Sequence, residues 1–443
     1  MSDYSPITDK DIKQMLNKLN KNNLDDLFNI IPENFKFNLE DIELNNGVTE
    51  FQAENIMNAL SNKNLNLANS VCFMGGGAYD HYIPKIVDTL TGRSEFYTAY
   101  TPYQPEVSQG TLQYLYEFQS MICELSGMEI SNASLYDGAS SVAEACSMAI
   151  AVTKGKQVLV SKNLHPSYQE LINIYYNTRD IDVVYINSNN GVTCINDLKN
   201  KMNKDVACVV IQSPNYNGIL EDWSEISKYK QKSLLIAVSD PISLSLIKSP
   251  GDSNCDVFVG EGQSLGNYLS FGGPYIGLFA TKMKYARKMP GRIIGRTKDV
   301  DGRDGFVMTL QTREQHIRRE RATSNICTNQ GLLALRSTIY MALMGKEGIY
   351  NVANISFQNT NYALNKIKEL NTCKLKYNAE ECIKEFVVEL KQSATKIQKI
   401  ASDNNILIDR PKNDESDKLI LLAFTEKRTK EEIDSLISFL SNI

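Results

Sequence analysis

Short apolar segments alternate with amphipathic segments between residues 157 and 280, and this alternation constrains the fold more than any other feature. The apolar segments are rich in β-branched residues and too short for helices, so they predict strands. Strands that are apolar along their whole length, with helices between them, form parallel or mixed sheets covered on both faces. The sequence therefore predicts an α/β domain. The predicted strands are 157–160, 183–186, 207–212, 234–238, 256–259 and 275–280, and the predicted helices are 141–152, 167–176, 196–202 and 223–229.

Residues 1–65 predict a helical N-terminal arm. Thr8 followed by Asp11 has the spacing of a helix cap, and an apolar stripe follows it from Ile12 to Leu19. Residues 24–31 form a second, shorter apolar stripe that ends at Pro32. Such an arm is too small to hold a core, so we expect it to pack on a neighbouring surface or on a partner chain.

The last third of the chain predicts a small α+β domain. Helical patterns at 332–344 and 347–370 precede strand candidates at 386–390 and 419–424. A final helix opens with Thr429 and Glu432 in capping-box spacing. The predicted division is therefore an arm at 1–65, a large α/β domain at 66–330 and a small domain with its linking helices at 331–443.

Composition excludes several classes of protein. A net charge of −5 argues against nucleic acid as a partner. The chain has no apolar run long enough to span a bilayer, and its first residues are too polar for a signal peptide. The nine cysteines lie mostly within apolar elements and form no CxxC pair, which predicts reduced thiols and a cytoplasmic protein. We expect no bound metal, because the three histidines are not spaced to share one.

Residues 256–281 read as a buried strand, a glycine-rich polar loop and a second apolar strand. Loops at the ends of parallel strands are where α/β enzymes place their chemistry. No lysine, cysteine or histidine stands at the start of this loop. Gln263 occupies that position.

Three further positions at predicted strand or helix ends could carry chemistry. Asp137 and Ser140 lie in a turn that opens a helix, where backbone N–H groups bind phosphate or carboxylate, although simple helix capping is the commoner explanation. His165 follows a strand and could stack on a ring or be structural. Asp240 follows another strand and could pair with a cofactor nitrogen or cap the next turn.

Two longer segments suggest contacts with other molecules. Residues 93–110 are rich in tyrosine, proline and hydroxyl side chains, a composition unsuited to a helix or a central strand. Tyr97, Tyr100 and Tyr103 suit the wall of a cleft or a subunit interface. Residues 292–321 carry seven arginines in what reads as an irregular loop. Acidic residues interleave with these arginines, so pairing between these charges within the chain is a simpler interpretation than anion binding.

Taken together, these residues and their order resemble the pattern of the fold-type-I pyridoxal-phosphate enzymes. The sequence of several stretches is similar to the glycine dehydrogenase (decarboxylating) P-protein family of the glycine cleavage system, and specifically to its subunit 1. The resemblance covers about residues 70–345. The matching stretches are 78–84 (AYDHYIP), 93–110, 136–139 (YDGA), 240–244 (DPISL), 260–263 (GEGQ), 270–274 (SFGGP) and 322–330 (ATSNICTNQ).

The resemblance implies that Gln263 stands where the partner subunit 2 carries the lysine that binds pyridoxal phosphate. A carboxamide is neither basic nor nucleophilic, so it cannot replace that amine. The resemblance thus implies no covalently bound cofactor in this chain and pyridoxal phosphate in subunit 2. Asp137, Ser140, His165, Asp240 and Gln263 would then be vestigial cofactor positions.

The implied function is shared between two chains. With subunit 2, the chain would decarboxylate glycine, release CO2 and pass the aminomethyl group to the lipoyl arm of the H protein. Tyr97, Tyr100 and Tyr103 are the candidates for a wall of the partner's active site, with the arginine segment as a lesser choice. Two alternatives stay open, a non-catalytic scaffold for subunit 2 and a self-sufficient enzyme that uses another lysine, such as Lys248 or Lys282. The sequence leaves open whether the assembly is αβ or (αβ)2.

Overall fold

The structure, a computed structural model, describes residues 6–37, 47–97 and 101–443. Its elements confirm the predicted α/β class. The strands are β1 (Val71–Cys72), β2 (Ile130–Ser131), β3 (Gln157–Ser161), β4 (Asp182–Ile186), β5 (Ser188–Asn189), β6 (Val192–Thr193), β7 (Val206–Gln212), β8 (Leu234–Val238), β9 (Val257–Glu261), β10 (Gly277–Thr281), β11 (Ile293–Lys298), β12 (Asp304–Thr309), β13 (Cys373–Leu375), β14 (Glu385–Leu390), β15 (Ile406–Leu407) and β16 (Leu419–Ala423).

The helices predicted at 141–152, 167–176, 196–202 and 223–229 all form, whereas the helices at Gln109–Ser126 and Ala394–Asp403 were not predicted. The helices are α1 (Asp9–Lys18), α2 (Glu50–Ser61), α3 (Lys85–Thr91), α4 (Ser94–Tyr97), α5 (Gln109–Ser126), α6 (Gly138–Thr153), α7 (Pro166–Tyr176), α8 (Ile195–Lys201), α9 (Trp223–Ser227), α10 (Gln315–Arg318), α11 (Gly331–Lys368), α12 (Ala394–Asp403) and α13 (Lys430–Ser441). No helix among the described residues is both long enough and apolar enough to cross a membrane.

Contacts within the chain divide it into two compact units, Met1–Leu65 and Asn66–Ile443. In the first unit, Thr8 and Asp11 form the predicted capping box at the start of α1. Leu16 of the predicted stripe is buried, whereas Met15 and Leu19 expose about half of their surface. The prediction of a helix over 24–31 is wrong, since only a short 3-10 turn forms there, at Asp25–Phe28.

The second unit is built on a seven-stranded sheet with the strand order β2-β10-β9-β8-β7-β3-β4. Strands β9, β8, β7, β3 and β4 are mutually parallel, whereas β10 runs antiparallel to both β9 and β2. The carboxyl ends of the five parallel strands therefore meet along one edge of the sheet, which is where the candidate positions from the sequence are placed.

Both faces of this sheet are buried, as the continuous apolar strands predicted. In β9, Val257 and Val259 belong to the core on the side of α6, whereas Phe258 belongs to the core on the opposite side, with α5 and α11. All three side chains are fully buried. Strict alternation between two cores fixes the register of a central strand, because a shift by one residue would exchange its faces.

The C-terminal part of the second unit contains the antiparallel sheet β13-β14-β16 with α12 and α13. The two helices predicted after Gly331 both form, as the two halves of α11 on either side of a kink at Gly345, which adopts the non-helical φ +58° and ψ −171°. The predicted small α+β portion therefore forms, although contacts join residues 66–443 in one compact unit. The domain boundary at residue 330 stays a prediction.

Two predictions about irregular segments are wrong. The arginine-rich segment 292–321 is not a plain loop, because β11 and β12 pair as an antiparallel hairpin across residues 293–309. The segment 93–110, predicted to be unsuited to a helix, holds the one-turn helix α4 and the first two residues of α5. In both places, charged or proline-containing sequence obscured short elements that tertiary packing stabilises.

The bend in α11 generates a prediction about stability. The backbone of Gly345 lies in a region that residues with a Cβ avoid, at a cost of about 1–3 kcal/mol. No atom lies within 4 Å of a Cβ added there, so strain alone would act. Gly345→Ala is expected to lower the free energy of unfolding, measured by urea titration, by that amount.

Gly110 provides the matched control, because a Cβ added there also meets open space while the backbone of α5 is ordinary. Gly110→Ala is expected to raise the free energy of unfolding by about 0.5 kcal/mol. A Gly345→Ala protein as stable as Gly110→Ala would contradict the assignment of strain to the bend.

Candidate functional site

A small cavity lies at the carboxyl edge of the parallel strands. Its volume is about 30 Å³, room for about two water molecules. The lining residues come from the strand ends, from the segment before α3 and from the start of β14: Gly77, Tyr79, His165, Tyr168, Gln212, Pro214, Val238, Ser239, Asp240, Ser243, Glu261, Lys384 and Glu385. The sheet thus brings His165 and Asp240 to one place, as their positions after parallel strands predicted.

Asp240 caps the turn that follows β8, as one of its two predicted roles required, and it also pairs with a cation of the chain itself. Its Oδ2 accepts from the backbone N–H of Ser243 at 3.0 Å and from the ammonium of Lys384 at 2.7 Å. Burial would raise the pKa of Asp240, but the Lys384 ammonium, together with the hydrogen bond from Ser243 and other nearby groups, holds that pKa at about 2. Asp240 is therefore a carboxylate bound to a cation that the chain itself supplies.

Lys384 was not identified from the sequence. Its side chain is 3% exposed, and its Nζ also lies 4.2 Å from the ring centroid of Tyr79. Lys384 directly precedes β14, 144 residues after Asp240 along the chain. Nothing local distinguishes it from a surface lysine at the start of a strand, so no sequence signal could have found it.

The turn that opens α6 is a reciprocal cap, the simpler of its two interpretations. The carboxylate of Asp137 accepts from the backbone N–H of Ser140 at 2.7 Å, and the hydroxyl of Ser140 accepts from the backbone N–H of Asp137 at 3.1 Å. The backbone N–H of Gly138, which points out of the helix start, donates to Glu261 at 2.9 Å. The chain's own carboxyl group therefore takes the anion position at this helix.

Glu261, at the end of β9, lies in the matching stretch 260–263, but the sequence predicted no role for it. Its other oxygen accepts from the backbone N–H groups of Gln263 and Ile276 at 3.2 and 3.0 Å. Burial raises the pKa of Glu261 to about 8, although these hydrogen bonds oppose the rise. An acidic residue at the end of an apolar central strand is the signal that could have indicated it.

His165 has a structural role at the start of α7. Its Nδ1 accepts from the backbone N–H of Ser167 at 3.1 Å, and its Nε2 donates to the carbonyl of Gly76 at 2.7 Å. The imidazole ring stacks on Tyr168, with 4.7 Å between the ring centroids. Burial lowers the pKa of His165, in agreement with a neutral ring that donates once and accepts once.

Gln263 is buried and fully hydrogen-bonded away from the cavity. Its Oε1 accepts from the backbone N–H of Tyr79 at 2.9 Å. Its Nε2 donates to the carbonyl groups of Tyr79 and Asn267 at 3.2 and 2.8 Å. Gln263 does not line the cavity. The side chain therefore fixes the segment around Tyr79, which covers the cavity.

Glu385 fixes the same covering segment from the other side. It accepts from the backbone N–H of Gly76 at 2.7 Å and from the hydroxyl of Tyr79 at 2.8 Å. A Cβ added at Gly75 would lie 2.4 Å from this carboxylate, so the segment approaches as closely as glycine allows. Burial raises the pKa of Glu385 to about 7.

Pyridoxal phosphate does not fit these residues. A pocket for a molecule of that size occupies several hundred Å³, about ten times the volume of this cavity. The ammonium of Lys384 already neutralises Asp240, and the carboxyl group of Glu261 already binds the N-terminus of α6. The amide of Gln263 is bonded to the covering segment. The chain's own groups therefore satisfy the charged and polar side chains around the cavity.

The tyrosine candidates lie apart from this cavity. Tyr97 ends α4 and is 65% exposed, and Tyr103 is 52% exposed. Tyr100 lies outside the described residues. Tyr103 borders a surface pocket of about 400 Å³, whereas Tyr97 does not. The other residues that line the pocket are Gln315, His316, Arg319, Glu320, Ile326 and Cys327.

The arginines of residues 292–321 divide into two kinds. Arg296 of the hairpin pairs with Asp304 at 2.5 Å, as internal ion pairing predicts. Arg292 and Arg313 pair with no carboxylate in the described ranges. Arg313 donates to two backbone carbonyls, and Arg292 donates to two hydroxyl and two carbonyl oxygens. Within the same ranges, no group of three or more His, Cys, Asp or Glu side chains is arranged to hold a metal ion.

Comparisons with known proteins agree with this geometry. The family model of the glycine cleavage system P-protein matches residues 2–440. A probable glycine dehydrogenase (decarboxylating) subunit 1 of Desulforamulus reducens is 45% identical over 99% of both chains, and that of Chlorobium phaeobacteroides is 43% identical over 98% of both. A crystal structure of an inhibitor-bound glycine decarboxylase (P-protein) superposes with a TM-score of 0.90 at 36% identity, covering 100% of each chain.

More distant structures show the fold alone. Glutamate decarboxylase from Lactobacillus brevis has a TM-score of 0.69 at 10% identity, covering 93% of this chain and 96% of its own. A C-DES mutant with glycine linked to its pyridoxal-phosphate cofactor has a TM-score of 0.62 at 12% identity, covering 85% and 97%. The predicted fold class and the resemblance read from the sequence are both confirmed.

The buried carboxyl of Glu385 generates a prediction about pH. Its pKa is about 7 in the folded chain, against an ordinary value of 4.5. Between these values only the unfolded chain has lost the proton, so the free energy of unfolding falls as pH rises. From pH 5 to pH 8 this fall is on the order of 2 kcal/mol.

Glu385→Gln should remove that pH dependence while keeping both hydrogen bonds, because the hydroxyl of Tyr79 can reverse its direction. The measurement is urea unfolding of both proteins at a series of pH values. Parallel curves for the two proteins between pH 5 and pH 8 would contradict the raised pKa.

Proposed function

This chain belongs to the glycine cleavage system P-protein family, and from that membership we propose that it acts as subunit 1 of a two-chain glycine decarboxylase. Together with a subunit 2, it decarboxylates glycine, releases CO2 and passes the aminomethyl group to the lipoyl group of the H protein. The cytoplasm is the proposed site of this reaction. Pyridoxal phosphate, bound to subunit 2, supplies the electron sink that decarboxylation of an amino acid requires.

The observation that carries the proposed division of labour is the small volume of the cavity at the sheet edge. A pocket of about 30 Å³, with Lys384 bonded to Asp240, supports a chain that binds no cofactor of its own. The same small volume argues against glycine or phosphate as a regulatory ligand in this cavity. What this chain adds to catalysis must therefore come from its surface.

Tyr97, Tyr100 and Tyr103 are the proposed contribution of this surface to the active site of subunit 2. Two of them are described, and both expose more than half of their side chain in the single chain. A tyrosine ring can exclude water from a neighbouring site while its hydroxyl donates a hydrogen bond. Exposed rings on one subunit are thus suited to complete a cleft on another.

The alternative of a self-sufficient enzyme has less support. The Nζ of Lys282 pairs with Asp256 at 2.9 Å, and the Nζ of Lys248 lies 3.5 Å from the hydroxyl of Ser224. Neither lysine lines the cavity, whereas Lys384 does. The second alternative, a scaffold that only stabilises subunit 2, differs from the proposal in what the tyrosines do and is tested with them.

The proposal predicts that the isolated chain forms no borohydride-reducible link to pyridoxal phosphate. The test is incubation with the cofactor, reduction and a peptide map of modified lysines. No stoichiometric modification is expected, because the lysine that lines the cavity is bonded to Asp240. A single modified lysine at 384, 248 or 282 would contradict the proposal.

Gln263→Lys is the matched variant for this experiment. It places an amine at the position of the family's lysine, yet the new side chain would replace hydrogen bonds to Tyr79 rather than open the cavity. We expect it to bind no cofactor and to be less stable than the unaltered chain.

A second prediction separates catalysis from scaffolding. In the complex reconstituted with subunit 2 and lipoylated H protein, Tyr97→Phe and Tyr100→Phe are tested for glycine-dependent CO2 release. Loss of a hydroxyl that acts in the reaction should lower kcat/KM about tenfold or more. Unchanged kinetics in an intact complex would favour the scaffold.

A further inference from the structure

A buried cation without an anion lies next to Tyr103. Arg292, just before β11, is 3% exposed, and no carboxylate in the described part of the chain lies within 4 Å of its charged nitrogens. A buried guanidinium is costly unless its charge and its N–H groups are satisfied. The terminal nitrogens of Arg292 donate to neutral oxygens only, and its buried Nε–H has no hydrogen-bond partner among the described residues.

The guanidinium joins two segments that are distant in the chain. One terminal nitrogen donates to the side-chain oxygens of Thr328 and Asn329 at 3.0 and 2.9 Å. The other donates to the carbonyl of Cys327 at 2.9 Å and to the hydroxyl of Tyr103 at 3.3 Å. The carbon between them lies 5.6 Å from the centroid of the Tyr103 ring.

The two segments depend on Arg292 to different degrees. The segment that leads into α11 has other supports, since Cys327 donates to the hydroxyl of Tyr136 at 3.0 Å and Asn329 donates to the carbonyl of Ala133 at 2.9 Å. For the hydroxyl of Tyr103, Arg292 is the partner that the described residues provide. Loss of Arg292 should therefore release Tyr103 first.

We propose that Arg292 is a positioning residue that holds Tyr103 and the 327–329 segment as one preformed face for the active site of the partner subunit. This inference rests on the proposed function and names the residue that organises the wall. Four acceptors in fixed directions require the planar fork of arginine, which the point charge of lysine cannot reproduce. Positioning before the partner arrives lowers the entropy cost of completing its site.

The direction of the hydrogen bond indicates what Tyr103 recognises. Because its oxygen accepts from Arg292, its own hydrogen is available to donate outward, over the adjoining pocket. The group that it meets is therefore a hydrogen-bond acceptor. The nearby cations Arg292 and Arg319 favour an anionic acceptor, which in the proposed reaction is the carboxylate of glycine.

The test uses the reconstituted complex with lipoylated H protein and glycine. Tyr103→Phe and Arg292→Met are each expected to raise KM for glycine about tenfold, while the affinity between the subunits changes less than threefold. Because the two side chains act as one unit, the double variant should be no more than twofold worse than the more severe single variant. Arg292→Lys should not restore the KM.

Arg296→Met is the matched control, since Arg296 is an exposed arginine that pairs with Asp304 on the same hairpin. Its kinetics should equal those of the unaltered complex. Should Arg292→Met fail to assemble, Tyr103→Phe decides alone, because it leaves the guanidinium in place.

Two outcomes overturn the inference: an unchanged KM in an assembled Tyr103→Phe complex, or additive effects in the double variant. Neither outcome contradicts the proposed function. The proposed function is contradicted if subunit 2 alone decarboxylates glycine at the full rate.

Discussion

The ion pair between Lys384 and Asp240 is the contact on which the arrangement of the sheet edge depends. Two charges removed from water are stable only together, so the ammonium must stay on the carboxylate at the end of β8. This requirement places the start of β14 against the parallel strands. Glu385, the next residue, then reaches Gly76 and Tyr79, and the covering segment closes over what remains. One electrostatic constraint thus organises residues from three distant parts of the chain.

Much of the fold could be predicted because its signals are local. Central strands such as β8 and β9 are apolar on both faces, and Thr8 and Thr429 mark helix starts through spacing alone. The hairpin β11–β12 was missed because charged residues lie where the strands pair, and Arg296 and Lys298 of β11 form ion pairs with Asp304 of β12. Such a strand resembles a loop until its partner is known.

The site could be predicted only in part, for a related reason. Asp240, His165 and Gln263 were found because each follows a strand, and parallel strands present their ends together. The residues that close the cavity gave no comparable signal. Lys384 acquires its role through a partner 144 residues away, and Glu261 through a helix that begins 123 residues before it. The sequence indicated Gln263 only as the position of a missing lysine. In the structure its side chain also forms the hydrogen bonds that hold the segment at Tyr79.

The close fit of that covering segment also determines how the cavity could open. Gly75 has no room for a Cβ beside Glu385, and Gln263 has no unused hydrogen-bonding atom. Any ligand larger than water would have to displace Lys384 from Asp240, free the N-terminus of α6 from Glu261 and lift the segment at the same time, since any one of these changes alone leaves a buried group unpaired. The hydrogen bonds and ion pairs around the cavity therefore open together or not at all.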